Sequence, residues 1–437
     1  MKLETDAQTL EDLRIFGKRE QTGIFDLYND THTRGGEKLL REMFRNPLSD
    51  MESIRYRCNI FAYFSAHKLE FPFEGSLLDM AEKYTASTKD AGASRQQILN
   101  DKDIENGVVS IIQLTQKLKV FVDIDVVKAS IPFAGERDAI IAILESDVLQ
   151  PVLRDKSSGK VSYSAITAFD ALFRSKGQLK IEGLLHLIYL LDVYLSIARI
   201  ALKYGFTYPK AHGKGSRILR VEGLFHPELK KPVANDMVME GHSSLVFLTG
   251  ANMAGKSTFL RSIGTATFLA HMGFPVAARA MEFSIMDGLY TTINLPDDLG
   301  MGASHFYAEV LRVKKIATEL HKGKKLFVIF DELFRGTNVK DAHEATVAIA
   351  IGFARNSESR FIISSHIVEA AEQLGVEPGI DFLFLPTRMK GTTPEYTYTL
   401  ERGVTDDRHG MLIIRSEGIL DILKNGKKGR IYCDEAR

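Results

Sequence analysis

The sequence predicts two textures in tandem: an N-terminal all-α region over residues 1–210, and an α/β P-loop region over 211–437 with a mainly parallel sheet. Three observations carry this. Residues 1 to about 205 read as successive helices with few strand signals. Beyond residue 217, short apolar runs bounded by Gly, Pro or Asp alternate with helical stretches. One of those runs is followed at once by a glycine-rich phosphate loop and a helix.

In the first region, Arg34 to Arg45 reads as a helix stopped before Pro47, and Asp50 caps the next, MESIRYRCNIFAYFSAH. Further helices are expected near 95–122 and 136–150. Segment 151–180, more polar and containing DKSSGK, reads either as a loop or as a small helical excursion. Residues 181–202, IEGLLHLIYLLDVYLSIARIAL, match a bilayer span in length, but Glu182, His186, Asp192 and Arg199 lie inside. Each charge near a bilayer centre costs about 2.5–3.5 kcal/mol, so a long buried helix is the better reading and no membrane partner is expected. The stretch YGFTYPKAHGKGSR, 204–217, reads as a linker. Strands are then expected at LVFLT (245–249), FPVAA (274–278), LFVIF (326–330), RFIIS (360–364), DFLFLP (381–386) and YTYTL (396–400).

Composition narrows the function classes. With 437 residues, 45% hydrophobic and 26% charged, the chain is neither disordered nor fibrous. Lys plus Arg and Asp plus Glu balance at 56 each, which excludes nucleic-acid binding through overall positive charge but leaves a local basic stripe open. Cys58 and Cys433 are far apart and lack metal-ligand spacing. A disulfide framework is excluded and a reducing, cytoplasmic location is expected. The polar, acidic N-terminus does not read as a secretory signal.

The chemistry starts after LVFLT. Gly250-Ala251-Asn252-Met253-Ala254-Gly255-Lys256-Ser257-Thr258 fits GxxxxGK[ST] between a strand and a helix. The glycines let backbone N–H groups curl round phosphates, and the helix N-terminus adds partial positive charge. Lys256 is expected to reach the β/γ-phosphates of ATP, and Ser257 to offer its hydroxyl to Mg²⁺. LFVIF leads to Asp331 and Glu332. A carboxylate ending an apolar strand can hold Mg²⁺, and a second one just beyond can polarise the attacking water, so hydrolysis rather than mere binding is expected. RFIIS leads to Ser364-Ser365-His366. A histidine at the C-terminal end of such a strand lies where ligands bind, and could sense the γ-phosphate or orient the water. Gly300-Met301-Gly302-Ala303 precedes Ser304, which can cap a helix with apolar residues Phe306, Val310, Val313, Ala317 and Leu320 on one face.

TGANMAGKSTFLRSIG, GMGASHFYAEV, FDELFRGTN and ISSHIVEA resemble, in order and rough spacing, the ATPase domain of the MutS family of DNA mismatch-repair proteins. Upstream, TLEDLRIF, DLYNDTHTRGGEKLLREMFRNPLSDMESIRYR and LDVYLSIARIALKYGFTYP resemble the family's core and lever helices, and FHPEL followed by VANDM resembles the approach to its ATPase domain. The resemblance covers most of residues 7–420. It implies an ABC-type ATPase that pairs face to face, with two nucleotides between the halves. Gly250 to Thr258 would hold the phosphates, Asp331 would order Mg²⁺, Glu332 would activate water and His366 would contact the γ-phosphate. Ser304 would reach the partner subunit's nucleotide, Asp341 would lie near the dimer junction, and Tyr398, five residues before Gly403, would stack on adenine.

This chain departs from the family at Phe334, where a glycine is usual, at His305, where a threonine is usual, and at Ala254, a glycine-type position of the loop. The family's mismatch-recognition and connector segments find no counterpart in the sequence, and only 151–180 could stand in for part of its DNA clamp. The resemblance implies a dimeric, Mg²⁺-dependent ATPase moving helical arms around duplex or branched DNA, with a mismatch-repair protein as a further partner. Another reading is a nucleotide-driven switch acting on a protein or ribonucleoprotein. A third, a scaffold that binds nucleotide without hydrolysing it, is opposed by Glu332 and His366.

Overall fold

The computed structural model describes residues 1–18, 21–89, 99–154, 161–293, 305–334, 337–390, 393–405 and 418–425. Helices come first: α1 (Ala7–Asp12), α2 (Ile24–Tyr28), α3 (Arg34–Arg45), α4 (Met51–His67), α5 (Gly75–Lys89), α6 (Asp101–Asp123), α7 (Asp125–Lys128), α8 (Ala134–Leu144), α9 (Gln150–Arg154) and α10 (Tyr163–Leu172). A π-helical turn, Phe173–Gly177, then leads into α11 (Gln178–Tyr204). Side-chain caps start several of them. Asp6, Thr33, Asp50 and Asn100 each accept from the backbone N–H three residues on. Gly205, at φ +65, ends α11.

The apolar stretch is a core helix. Tyr163–Tyr204 is long and apolar enough to cross a membrane by length and composition, yet 72% of its most apolar window is buried inside the protein. Its Asp192, fully buried, accepts from Thr33 N (2.9 Å), Thr33 Oγ1 (2.8 Å) and His32 N (3.0 Å) at the start of α3. The carboxylate thus meets the positive end of that helix. Within segment 151–180, residues 151–154 and 163–180 are helical.

The remaining elements are β1 (Lys210–His212), β2 (Ile218–Leu224), β3 (Asn235–Glu240), β4 (Leu245–Gly250), α12 (Lys256–His271), β5 (Ala280–Ser284), β6 (Gly288–Thr292), α13 (His305–His321), β7 (Leu326–Asp331), α14 (Val339–Ala354), β8 (Arg360–Ser364), α15 (Glu369–Leu374), β9 (Ile380–Leu385), β10 (Thr387–Lys390), β11 (Thr393–Tyr396), β12 (Glu401–Arg402) and α16 (Ile419–Asn425). They form a six-stranded sheet in the order β12-β9-β4-β8-β7-β6, a four-stranded sheet β1-β5-β2-β3, and the hairpin β10-β11. In the larger sheet every pairing is parallel except β12 with β9. Strands β4, β7 and β8 are buried along their whole length, which is why they read as unbroken apolar runs.

Three expectations need correction. FPVAA is not a strand: it makes an isolated bridge from Val276 to Thr207, and Ala277 O accepts from Phe225 N at 3.1 Å. Pro275 has no N–H to give a ladder, and Phe274 turns into the aromatic core instead. YTYTL is not a strand beyond Tyr396, because Tyr398 takes φ +55. The Asn235 amide satisfies that backbone, donating to Tyr398 O (3.0 Å) and accepting from Leu400 N (2.6 Å). The stretch 204–217 is built into the fold rather than free: Lys210–His212 pairs in parallel with Glu282–Ser284, and Arg217 donates to Glu358 at 2.7 and 2.8 Å.

One continuous core joins the helices to the phosphate-loop helix. The ring of Phe44 on α3 lies 5.6 Å from Phe274 and 6.3 Å from Phe268 on α12, and Phe61 on α4 meets Phe274 edge-on at 5.4 Å. The Tyr28 hydroxyl donates to Pro275 O at 2.7 Å. The first residues lie along the opposite edge of the sheet. Glu4 bridges Gly288 in parallel, with Glu4 N donating to Asp287 O (2.8 Å) and Leu289 N to Glu4 O (2.9 Å). Asp12 Oδ2 accepts from Thr291 Oγ1 (2.8 Å) and Ile293 N (2.9 Å).

Candidate active site

Parallel strands β4, β8 and β7 are neighbours, so their C-terminal ends bring three sequence-distant segments together. Asp331 and Ser364 are register partners, and Leu248 faces Ser364 from the other side. This is the edge of a parallel sheet where ligands bind.

From β4 the chain turns through residues 251–255 into α12. Gly250 (φ +149), Met253 (φ +70) and Gly255 (φ +102) take left-handed conformations that curl the loop. At Gly255 the positive φ favours glycine, and a Cβ there would press on the Tyr398 ring at 3.1 Å from Cδ1. Met253 is exposed and Ala254 is buried. The Lys256 ammonium lies 2.7 Å from Gly250 O and 3.2 Å from Ala251 O, over the mouth of the loop.

Asp331 is held by two hydroxyls. Ser257 donates to Oδ2 and Ser364 to Oδ1, both at 2.5 Å. The Glu332 N–H donates to Ser364 O (3.1 Å) and lies 3.2 Å from Ser364 Oγ, which turns Glu332 back over the strand ends at φ +54. Its carboxylate lies between Lys256 and His366, 3.8 Å from Lys256 Nζ and 3.7 Å from His366 Nδ1. Lys256 is 5% exposed and Glu332 14%, whereas His366 is 57% exposed and open to an incoming ligand. The structure therefore brings Lys256, Ser257, Asp331, Glu332 and His366 to one place. Ser304 lies outside the described residues. Asp341 is elsewhere, in the first turn of α14, where its carboxylate accepts from Asn338 Nδ2 at 2.6 Å.

The oxygen donors fit Mg²⁺. A Ser hydroxyl and a carboxylate side by side, with phosphates to complete the shell, is how that ion is usually held. No group of three or more His, Cys, Asp or Glu that could hold a metal occurs among the described residues, so ligands from a bound phosphate would be needed.

Beside the loop lies a cavity of about 310 Å³ lined by Phe225, His226, Asn235, Thr258, Phe259 and Tyr398, among others. Tyr398 falls where a flat ring could meet a base. Phe225, His226 and Asn235 carry no expected role in the sequence reading, although they lie in the FHPEL and VANDM stretches singled out there. Burial, reinforced by Arg14 and Arg261, pushes His226 down to about 4, so its ring is neutral near pH 7.

Phe334 takes φ +66, a conformation that costs a bulky residue about 1–2 kcal/mol. It is buried, and its ring lies 5.7 Å from Phe306 in the first turn of α13. Further along α13, Arg312 forms a salt bridge with Asp6, and donates to Thr291 O (2.7 Å) and Thr292 Oγ1 (3.2 Å) at the end of β6.

Comparison with known proteins agrees with this geometry. The family described as MutS domain V matches residues 246–428, which include the loop, both carboxylates and His366. Proteins described as DNA mismatch repair protein MutS are similar over about half of this chain. The one from Fusobacterium nucleatum subsp. nucleatum is 29% identical over 236 residues, 52% of this chain and 26% of its own length. That from Syntrophomonas wolfei subsp. wolfei is 29% identical over 266 residues, 56% of this chain and 30% of its own. That from Symbiobacterium thermophilum is 30% identical over 237 residues, 52% and 26%. The matched part thus spans less than a third of the length of these relatives. On these matches residues 246–428 carry a MutS domain V, and about half of the chain is similar to part of the full-length MutS proteins.

Proposed function

We propose that this protein binds ATP with Mg²⁺ and hydrolyses it, in a site completed by a second copy, to move its helical region on DNA. The observation that carries the reading is the carboxylate pair at the end of β7. Asp331 is joined to the first turn of the phosphate-loop helix through Ser257, and Glu332 is turned over the same strand ends between Lys256 and His366.

In this reading the backbone N–H groups of the loop and the Lys256 ammonium bind the phosphates, Lys256 exchanging the carbonyls of Gly250 and Ala251 for phosphate oxygens. Ser257 and Asp331 hold Mg²⁺, which neutralises charge on the β/γ-phosphates. Glu332 accepts the proton of the attacking water, and His366 donates to the γ-phosphate. The base lies in the cavity against Tyr398. Ser304 of one copy completes the site of the other. The test is Glu332→Gln, expected to keep ATP binding and lose about 10²–10⁴-fold in turnover. Unchanged turnover would place the base elsewhere. Mixing Ser304→Ala with Glu332→Ala subunits is expected to restore part of the activity, and strictly additive loss would count against sharing across two copies.

The DNA arm of the reading rests on the family, and the relatives' name supplies it. Binding to homoduplex, mismatched and four-way DNA, at two salt concentrations, tests it: phosphate-driven binding must weaken steeply with salt. The balance of 56 basic and 56 acidic residues favours a second reading, a nucleotide-driven switch on a protein or ribonucleoprotein partner. Absence of binding to every DNA in the panel would select it.

A further inference from the structure

We propose that Phe334 is a positioning residue: it ties the turn that carries Glu332 to the first turn of α13, so that the seat of α13 sets the aim of the carboxylate. The proposal rests on the ATPase reading above.

Three observations meet at this side chain. Phe334 is left-handed at φ +66, a conformation an aromatic residue keeps only when its surroundings impose it. The surroundings are a core that includes Leu333, Ile367 and Val313 of α13, within which Phe334 is 4% exposed. The ring meets Phe306 at 5.7 Å with an interplanar angle of 58°.

Two residues upstream, Glu332 is also left-handed, with its N–H bonded to Ser364. The turn 331–334 is therefore fastened at both ends, to β8 by Ser364 and to α13 by Phe334. Glycine at 334 would adopt this φ without steric cost and leave the turn fastened at one end only. The same helix is held further along by Arg312 against Asp6 and the end of β6. A displacement of α13 therefore acts on Phe334 at one point and on the N-terminal segment at another.

The experiment compares wild type with Phe334→Gly, Phe334→Leu, Phe306→Leu and the Phe334→Gly/Phe306→Leu double variant, well below the unfolding temperature of each. Phe334→Gly is expected to lower kcat about tenfold with KM for ATP within about twofold, the mark of an interaction expressed in the transition state. Phe334→Leu, which keeps apolar bulk, is expected to recover most of that loss. The double variant should be no slower than Phe334→Gly, because the contact is already gone. A merely structural role would lower the unfolding midpoint and leave kcat alone, and unchanged kcat overturns the proposal. So does a double variant that loses the product of both single effects. If wild type does not hydrolyse ATP, the ATPase reading falls separately, and the proposal is judged by hydrogen exchange of amides 305–312 with and without Mg-ATP. The ATP-induced change should be present in wild type and lost in Phe334→Gly. The same change in both, or none in wild type, overturns it.

Discussion

Ser257 donates its hydroxyl to Asp331 at 2.5 Å, joining the first turn of α12 to the last residue of β7. Ser364 donates to the other carboxylate oxygen at the same distance, so Asp331 is aimed from the neighbouring strand β8 as well as from α12. Ser364→Ala frees one oxygen and also weakens the hold on the Glu332 backbone. We expect the Mg²⁺ concentration for half-maximal ATPase to rise about tenfold, as for loss of an outer-shell partner of a metal ligand. A titration of rate against Mg²⁺ at saturating ATP measures it, and an unmoved midpoint would remove Ser364 from the scheme.

Lys256 is the loop's own cation, lying on Gly250 O and Ala251 O. Lys256→Ala is expected to abolish binding of a fluorescent ATP analogue, whereas Glu332→Gln retains it. Equal affinity of Lys256→Ala and wild type would contradict the placement of the phosphates.

Arg312 is 8% exposed and its carboxylate partner is Asp6, itself 18% exposed. Burial raises the Asp6 carboxyl, but hydrogen bonds from Arg312 and Lys315 and the charge of Arg312 outweigh it and hold the group well below the usual carboxylate range. Asp6→Asn should cost about 2–4 kcal/mol, toward the figure for breaking a buried pair and reduced because both partners keep some water. Urea denaturation at pH 7 checks this, and the difference should shrink as the pH falls below the ordinary value of 3.8. A cost under about 0.5 kcal/mol would make the pair a surface one.

Two buried histidines set a separate dependence on acid. His271 is fully buried, shares a hydrogen with Thr267 O at 2.9 Å and accepts from Met286 N through Nε2 at 3.0 Å. Burial pushes it from 6.5 down to about 4, and His226 likewise. Below pH 6.5 the unfolded chain takes up these protons and the native protein does not until about 4. Their contribution is therefore complete above 6.5 and is lost as the pH falls through that window. Urea midpoints at pH 7, 6 and 5 should fall in wild type. They should fall less in His271→Gln after allowing for its lower starting stability, and an identical slope would discard His271 as a cause.

The part of the site legible in sequence is the part made by fully buried parallel strands. LFVIF and RFIIS are continuous apolar runs, so the residues that follow them, Asp331 and Glu332 after the first and His366 after the second, could be placed at a sheet edge before any geometry was known. The phosphate loop was legible because its chemistry is local. What sequence hid is long-range or depends on a single backbone angle. Asp6 and Arg312 are separated by 306 residues and nothing local pairs them. Val276 lies in an apolar run that reads as a strand until Pro275 is counted against the ladder. Tyr398 looks like one more alternating aromatic, and its left-handed φ, supported by Asn235 from 163 residues away, turns it against Gly255. Phe334 is the reverse case, a position where the sequence resemblance implies glycine and where the left-handed backbone carries a ring instead.

The first residues, laid against β6, bear on how two copies can meet. An outer strand with free N–H and C=O groups is a template for another chain. Here Glu4 takes up part of the β6 side, and the other side ends in β12, a two-residue strand of exposed Glu401 and Arg402. Both outer strands of the six-stranded sheet are thus poorly placed to pair with another chain. Removing residues 1–6 would do more than shorten the chain. It would uncover an edge of the six-stranded sheet at β6, open to pairing with another chain.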